Sequence, residues 1–438
     1  MNYLSQYKAK LTTPDDAIRL IPIRGNISMG MAVSEPPALL KALERRIQAN
    51  GIEELKVYYM HSEEQLHESI LKYEYMDIIK PYPFYMGKIE RELVQRGLKD
   101  NKKVIYYMPG NFSSVPGVLE EIGIDTFIVM VSPMDKAGYF SCGTNADYTI
   151  PTARIAKKLI VEVNPNMPRV FGDCCLHISD IDAVVENTCP LIEIPARPTS
   201  ELDKRIGKFI VEMVPDHATV QFGVGGVPNA VCELLGNHKD LGVHSELMGP
   251  GLAKLIQSGA VTNKFKNIHK HKNVYTIAMG DNEMYEFLDN NSSMEAYPVV
   301  YVNDPHIIGK NDNVISINAF IEVDLMGQVN AEFIKGRQFS APGGQLDFVR
   351  GSQLSKGGKS ILTAYSTAAS GKVSRIVARL EGPATDARAD TQYIITEYGV
   401  ANLRGKSTYE RALALIDIAH PDFRDTLIQQ AKEAGIIF

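Results

Sequence analysis

Cysteine is scarce in this 438-residue chain, and the five present (Cys142, Cys174, Cys175, Cys189 and Cys232) form no Cys-x-x-Cys pair. An odd count without paired spacing argues against a disulfide framework and against a cysteine zinc site, so a reducing compartment fits. A basic surplus is missing too. The 46 Lys and Arg face 52 Asp and Glu, leaving a net charge of -6. That balance argues against a nucleic-acid partner. Lys266, His269, Lys270, His271 and Lys272 form the one notable basic cluster, read as a solvated loop. No apolar run approaches the roughly 20 residues that span a bilayer. The stretch from Met1 to Leu11 is too polar for a signal peptide. These absences predict a cytoplasmic protein with neither nucleic acid nor membrane as a partner.

What is present is ordinary globular material, 45% hydrophobic and 22% charged. A single core rarely grows beyond about 250–300 residues, so two domains are expected. The segment from Cys189 to Pro198 holds three prolines, and Thr199-Ser200 can cap the helix after it, with Leu202, Ile206, Phe209, Ile210 and Met213 as its apolar stripe. The boundary is drawn there, giving domains 1–190 and 191–438. Val57–Met60, Val104–Tyr107 and Phe127–Val131 read as buried strands. A helix begins near Pro36-Pro37, presents Leu39, Leu40, Leu43 and Ile47, and ends at Gly51. This alternation predicts an α/β fold with largely parallel sheets. The halves share a strand, an Asp-x-x-Gly turn and a second short strand, at Asp135–Gly138 and Asp324–Gly327, a weak sign of duplicated domains.

Three stretches carry candidate chemistry. Ala218–Phe222 reads as a strand, Gly223-Val224-Gly225-Gly226-Val227 as a tight turn, and Pro228 onward as a helix. Backbone N–H groups at such a turn suit an anion. Pro228 stands where the dinucleotide fingerprint needs glycine, and no Gly-Lys-Ser/Thr follows, so the NAD and ATP signatures are absent. A tight turn with no ligand is the plain alternative. Glu246 follows Leu241–His244, a short strand, and the carboxyl ends of strands are where α/β enzymes keep their chemistry. His244-x-Glu246 lacks the downstream Pro-Cys-x-x-Cys of zinc deaminases, so no metal is expected and His244 is read as a packing residue. Gly343-Gly344 offers a positive φ and an exposed N–H that could stabilise an oxyanion, or is a plain loop into a helix.

Taken together, Gln221–Ala230, Gly242–Glu246 and Gly343–Gly351 resemble the acetyl-CoA hydrolase/transferase family, in particular its 4-hydroxybutyrate and butyryl-CoA:acetate CoA-transferases. The likeness spans nearly the whole chain and is strongest from Ile194 onward. It implies two similar open α/β domains with the active site at their interface, and a homodimer. It also implies CoA or acyl-CoA as substrate, with no tightly bound cofactor, and a short carboxylic acid as the second substrate. Glu246 matches the glutamate that forms a glutamyl-CoA thioester. Gln221, Phe222, Gly223, Val224 and Gly225 match the CoA-binding turn, and Gly344 a glycine whose backbone meets the thioester. Asn303 resembles the oxyanion-side amide, while Ile321 and Lys372 fall near further CoA contacts. A glutamate with an ordinary pKa of about 4.3 is ionised at neutral pH and needs no general base. A thioesterase on the same scaffold, a nucleotide-dependent oxidoreductase and a non-catalytic CoA-binding module are the alternatives.

Overall fold

The computed structural model describes residues 2–223 and 225–438. The chain forms two compact units. The first combines Met1–Pro195 with Val274–Tyr301, and the second combines Ala196–Asn273 with Val302–Phe438.

The first unit is built on six strands: β1 (Arg24–Met29), β2 (Glu54–Tyr59), β3 (Ile79–Pro83), β4 (Thr126–Val131), β5 (Lys158–Val163) and β6 (Ala183–Glu186). They lie in the order β3-β2-β1-β4-β5-β6 and every pairing is parallel. All six residues of β4, Thr-Phe-Ile-Val-Met-Val, are buried. β-Branched and aromatic side chains on both faces are what a parallel sheet covered on two sides requires. Helix α1 (Pro37–Gln48) turns Leu39, Leu40, Leu43 and Ile47 into this core. The left-handed residue after α1 is Asn50 (φ 57°), not Gly51. Asparagine tolerates that conformation, so glycine is not needed to end the helix.

The second unit repeats the plan. Its parallel strands are β7 (Thr219–Phe222), β8 (Gly242–Met248), β9 (Val314–Ala319), β10 (Lys359–Thr363) and β11 (Tyr393–Thr396), with β12 (Gly399–Asn402) antiparallel at the edge. Within the unit the order is β12-β11-β10-β9-β7-β8. The chain builds outward from β7 on one side and from β9 on the other. A crevice at such a reversal of strand order is where open α/β sheets bind ligands. The helices that frame it are α2 (Glu201–Val211), α3 (Gly226–Leu234) and α4 (Gln345–Leu354).

The paired Asp-x-x-Gly turns share their hydrogen bonds. Asp135 Oδ1 accepts from the N–H of Ala137 and Tyr139, and Gly138 N–H donates to the Asp135 carbonyl. Asp324 Oδ1 accepts from Met326 and Gln328 in the same way, and Gly327 N–H closes on the Asp324 carbonyl. Gly138 and Gly327 both have positive φ, 87° and 93°, which favours glycine there.

Three expectations need correction. Val104–Tyr107 is not a strand, although it runs beside β3. Tyr106 and Met108 donate to the carbonyls of Pro81 and Pro83. Those prolines have no N–H to return, so the ladder cannot close. Lys266 is not solvated: it is 2% exposed, and its ammonium donates to the carbonyls of Val243 and Lys272. Its stem lies against Gly242, where a Cβ would collide with it. In α2, Ser200 and Asp203 form a reciprocal capping box, and Ile206 and Ile210 are buried. Leu202, by contrast, is 42% exposed.

Candidate active site

Glu246 lies inside β8 rather than just past a strand end. The register of β8 with β7 covers Gly242 and Val243 only. Glu246 therefore sits beyond that pairing, at the carboxyl edge of β7, and is half-buried. Side chains two apart on a strand share a face, so His244 lies on the same side. It is fully buried, and its Nε2–H donates to the Val302 carbonyl at 2.8 Å, while Nδ1 has no partner among the described residues. Burial, aided by the positive charge of Lys266, pushes its pKa down to about 3. His244 is thus a neutral tether between β8 and the residue before Asn303.

The sequence Asn303-Asp304-Pro305 shapes the next piece. Proline disfavours helical geometry in the residue before it, and Asp304 is extended (φ -68°, ψ 117°). Its carboxylate caps the short helix Pro305–Ile308 through His306 N–H. Asn303, fully buried, is left facing β8. Its Nδ2 donates to Glu246 Oε2 at 2.5 Å and lies 3.4 Å from Asp347 Oδ2. Its Oδ1 is buried without a partner among the described residues.

Gly344 is the N-cap residue of α4 with φ -96° and ψ 14°, a geometry open to most residues. Its need for glycine is spatial: a Cβ there would overlap the Glu246 carboxylate and the Asn303 amide. Gly343 supplies the positive φ, 57°. The structure therefore brings Glu246, Asn303 and Gly344 together from three separate stretches of chain.

The glycine turn forms a second cluster. Gln221 and Asn318 exchange amide hydrogen bonds of 3.0 and 3.1 Å, so the Gln221 side chain is occupied by its neighbour on β9. Phe222 is buried, and Gly223 N–H donates to the Ile317 carbonyl at 2.9 Å. Val224 lies outside the described residues. Gly225 has φ 138°, a conformation other residues rarely adopt. Gly226 must lack a side chain because the Asp203 carboxylate lies against it, held by Ser200 and by Tyr365 OH at 2.7 Å. A protein carboxylate thus already faces the start of α3.

A cavity of about 190 Å³ opens here, lined by Gly225, Gly226, Asn318, Tyr365 and Arg375. A larger groove, about 910 Å³, is lined by Ile321, Lys372, Lys335, Arg379 and Arg375. Arg375 borders both, and its guanidinium donates to the carbonyls of Phe320 and Ile321. Glu246, Asn303 and Gly344 line neither cavity. Asp203, Asn318, Asp347 and Arg375 were not foreseen as part of these clusters. Asp347 could have been: three residues after an N-cap, a side chain points back towards it.

Models of the N-terminal and C-terminal domains of the acetyl-CoA hydrolase/transferase family match residues 1–193 and 280–431. The chain is 41% identical to the 4-hydroxybutyrate coenzyme A transferase of Clostridium kluyveri, over 99% of this chain and 100% of that one. It is 40% identical to the succinyl-CoA:cyclohexane-1-carboxylate CoA transferase of Geobacter metallireducens, over 100% and 98%. The crystal structure of RipA from Yersinia pestis superposes with a TM-score of 0.97 at 50% identity, covering both chains completely.

Proposed function

Because this chain belongs to the acetyl-CoA hydrolase/transferase family, we propose that it is a CoA-transferase working through a thioester on Glu246. It moves CoA between acetyl-CoA and a short carboxylic acid, 4-hydroxybutyrate or butyrate. The observation that carries this reading is the contact of the Glu246 carboxylate with the Asn303 amide at 2.5 Å, beside a position where only glycine fits.

The reaction starts with a Glu246 oxygen attacking the acetyl-CoA carbonyl. The C–S bond breaks, leaving an acetyl-glutamyl anhydride and CoA thiolate. The thiolate attacks the glutamyl carbonyl, forms glutamyl-CoA and expels acetate. The incoming carboxylate attacks glutamyl-CoA and expels thiolate, which then takes the new acyl group and restores the glutamate. Atoms balance without an added cofactor, and the kinetics are ping-pong. A carboxylate is a weak nucleophile towards a thioester. Asn303 Nδ2–H and the Gly344 N–H offset this by stabilising the oxyanion, at about 3–4 kcal/mol for one such donor.

CoA binding is assigned to the glycine turn and the groove of Ile321 and Lys372. The Asp203 carboxylate beside Gly226 repels a phosphate at the turn. The part-exposed turn residues Gly223 and Gly225 therefore border the uncharged pantetheine arm, with Gln221 and Phe222 buried behind them as support. The phosphates pair with Lys335, Lys372 and Arg379, all exposed along the larger groove. Binding energy from this remote end can be spent at the transition state. By the family resemblance the working form is a homodimer.

The test is an exchange assay with labelled acetyl-CoA and a panel of short acids. Label should pass to 4-hydroxybutyrate or butyrate, and free CoA should stay low when no acceptor is present. Rapid CoA release without an acceptor would make the enzyme a hydrolase and overturn the transferase reading.

A further inference from the structure

Asn303 presents its nitrogen to two carboxylates, those of Glu246 and Asp347, while its oxygen is buried without a partner among the described residues. A buried unpaired acceptor is unfavourable, so something must hold the amide this way round. Rotating it by a half-turn would put Oδ1 against both carboxylates, where like partial charges repel. The two carboxylates together keep the N–H groups pointed inward.

They are not equivalent during the reaction. Resting on the proposed thioester route, Glu246 ceases to be an anion once it becomes an anhydride or thioester, and its hold on the amide weakens at the very steps that need the donor. Asp347 takes no part in bond making. It is 5% exposed and sits in the first turn of α4, where the helix dipole favours negative charge. We propose that Asp347 is a positioning residue, keeping the Asn303 amide aimed at the oxyanion while Glu246 is covalently occupied. His244 complements it by tethering the Val302 carbonyl one residue earlier.

The proposal is tested on the full-length enzyme with Asp347→Asn, Asn303→Ala and the double variant. The amide introduced by Asp347→Asn can donate to Asn303 Oδ1 and so allows the wrong orientation. We expect kcat to fall roughly 10–100-fold, less than the loss of a whole oxyanion donor, with the KM for acyl-CoA within about twofold. In the Asn303→Ala background the same change should cost less than about twofold, because Asp347 acts through Asn303. Asp347→Ser serves as a second variant should the first fold poorly, and thermal unfolding of each variant separates misfolding from misorientation. An Asp347→Asn enzyme with wild-type kcat overturns the inference, as does a penalty undiminished without Asn303. Glu246→Ala run alongside keeps the two ideas apart. If that variant remains active the thioester reading fails, whereas if it is inactive and Asp347→Asn is normal, only the positioning role fails.

Discussion

Buried or half-buried carboxylates occur at the sheets of both units. In the first unit, Glu35 accepts from the N–H groups of Glu63 and Leu66 at 2.7 and 3.0 Å. Glu162 accepts from Ala38 and Leu39, capping α1, and from Asn187. Burial pushes both pKa values up, and these hydrogen bonds oppose the rise. In the second unit, Glu246 meets a side-chain amide and a glycine that leaves room beside it. A carboxylate clamped on both oxygens by backbone donors works as a brace. One lodged against a side-chain amide, at a half-exposed strand position, is left accessible to a substrate. The same doubly wound plan braces acids in both units, Glu35 and Glu162 in the first and Asp203 and Asp324 in the second, and only the second sets beside them a glutamate lodged against a side-chain amide, the nucleophile proposed above.

That contrast can be broken at either end. The largest effect is expected at Glu246. Glu246→Gln should lower kcat by about 10⁴-fold or more, on the scale of losing a nucleophile. Its unfolding free energy should stay within about 0.5 kcal/mol of wild type, as read by denaturant titration. Asn303→Ala should cost about 10²–10³ in kcat, the usual loss for one oxyanion donor, with little change in the KM for acyl-CoA. Glu35→Ala should show the reverse pattern. One buried and one part-buried N–H lose their acceptor, so stability falls by about 2–4 kcal/mol, while kcat at a temperature where the protein is folded is retained.

The smallest effect concerns pH. Asp386 is buried, accepts from Gln345 Nε2 next to Gly344, and burial pushes its pKa up to about 7. The folded pKa lies above the unfolded value of about 3.9. The folded chain therefore keeps a proton that the unfolded chain releases, and this group's contribution to stability falls as pH rises from about 4 to about 7. Asp386→Asn should flatten that slope and raise Tm at pH 8 by about 2–4 °C, measured by thermal unfolding across the pH series.

Much of this was legible in the sequence because it is local. The strands ending at Val131 and Phe222, the cap at Ser200 and the two Asp-x-x-Gly turns depend on neighbours a few residues away. The glycine at 344 and the glutamate at 246 stood out by motif. What could not be read is non-local. Glu246 and Asn303 are 57 residues apart and Asn303 and Asp347 are 44, so no window of sequence holds the cluster. Lys266 looked like a surface cation because the carbonyls that accept from it depend on folding. The failed strand at Val104–Tyr107 has the right residues, but its partner carries prolines at 81 and 83.

The central claim is most directly tested by intact-protein mass spectrometry after mixing the enzyme with an acyl-CoA and no acceptor. The account predicts a CoA-sized covalent adduct that maps to the peptide carrying Glu246 and is missing from Glu246→Ala. A catalytically competent adduct that persists in Glu246→Ala, or maps to another side chain, would contradict it.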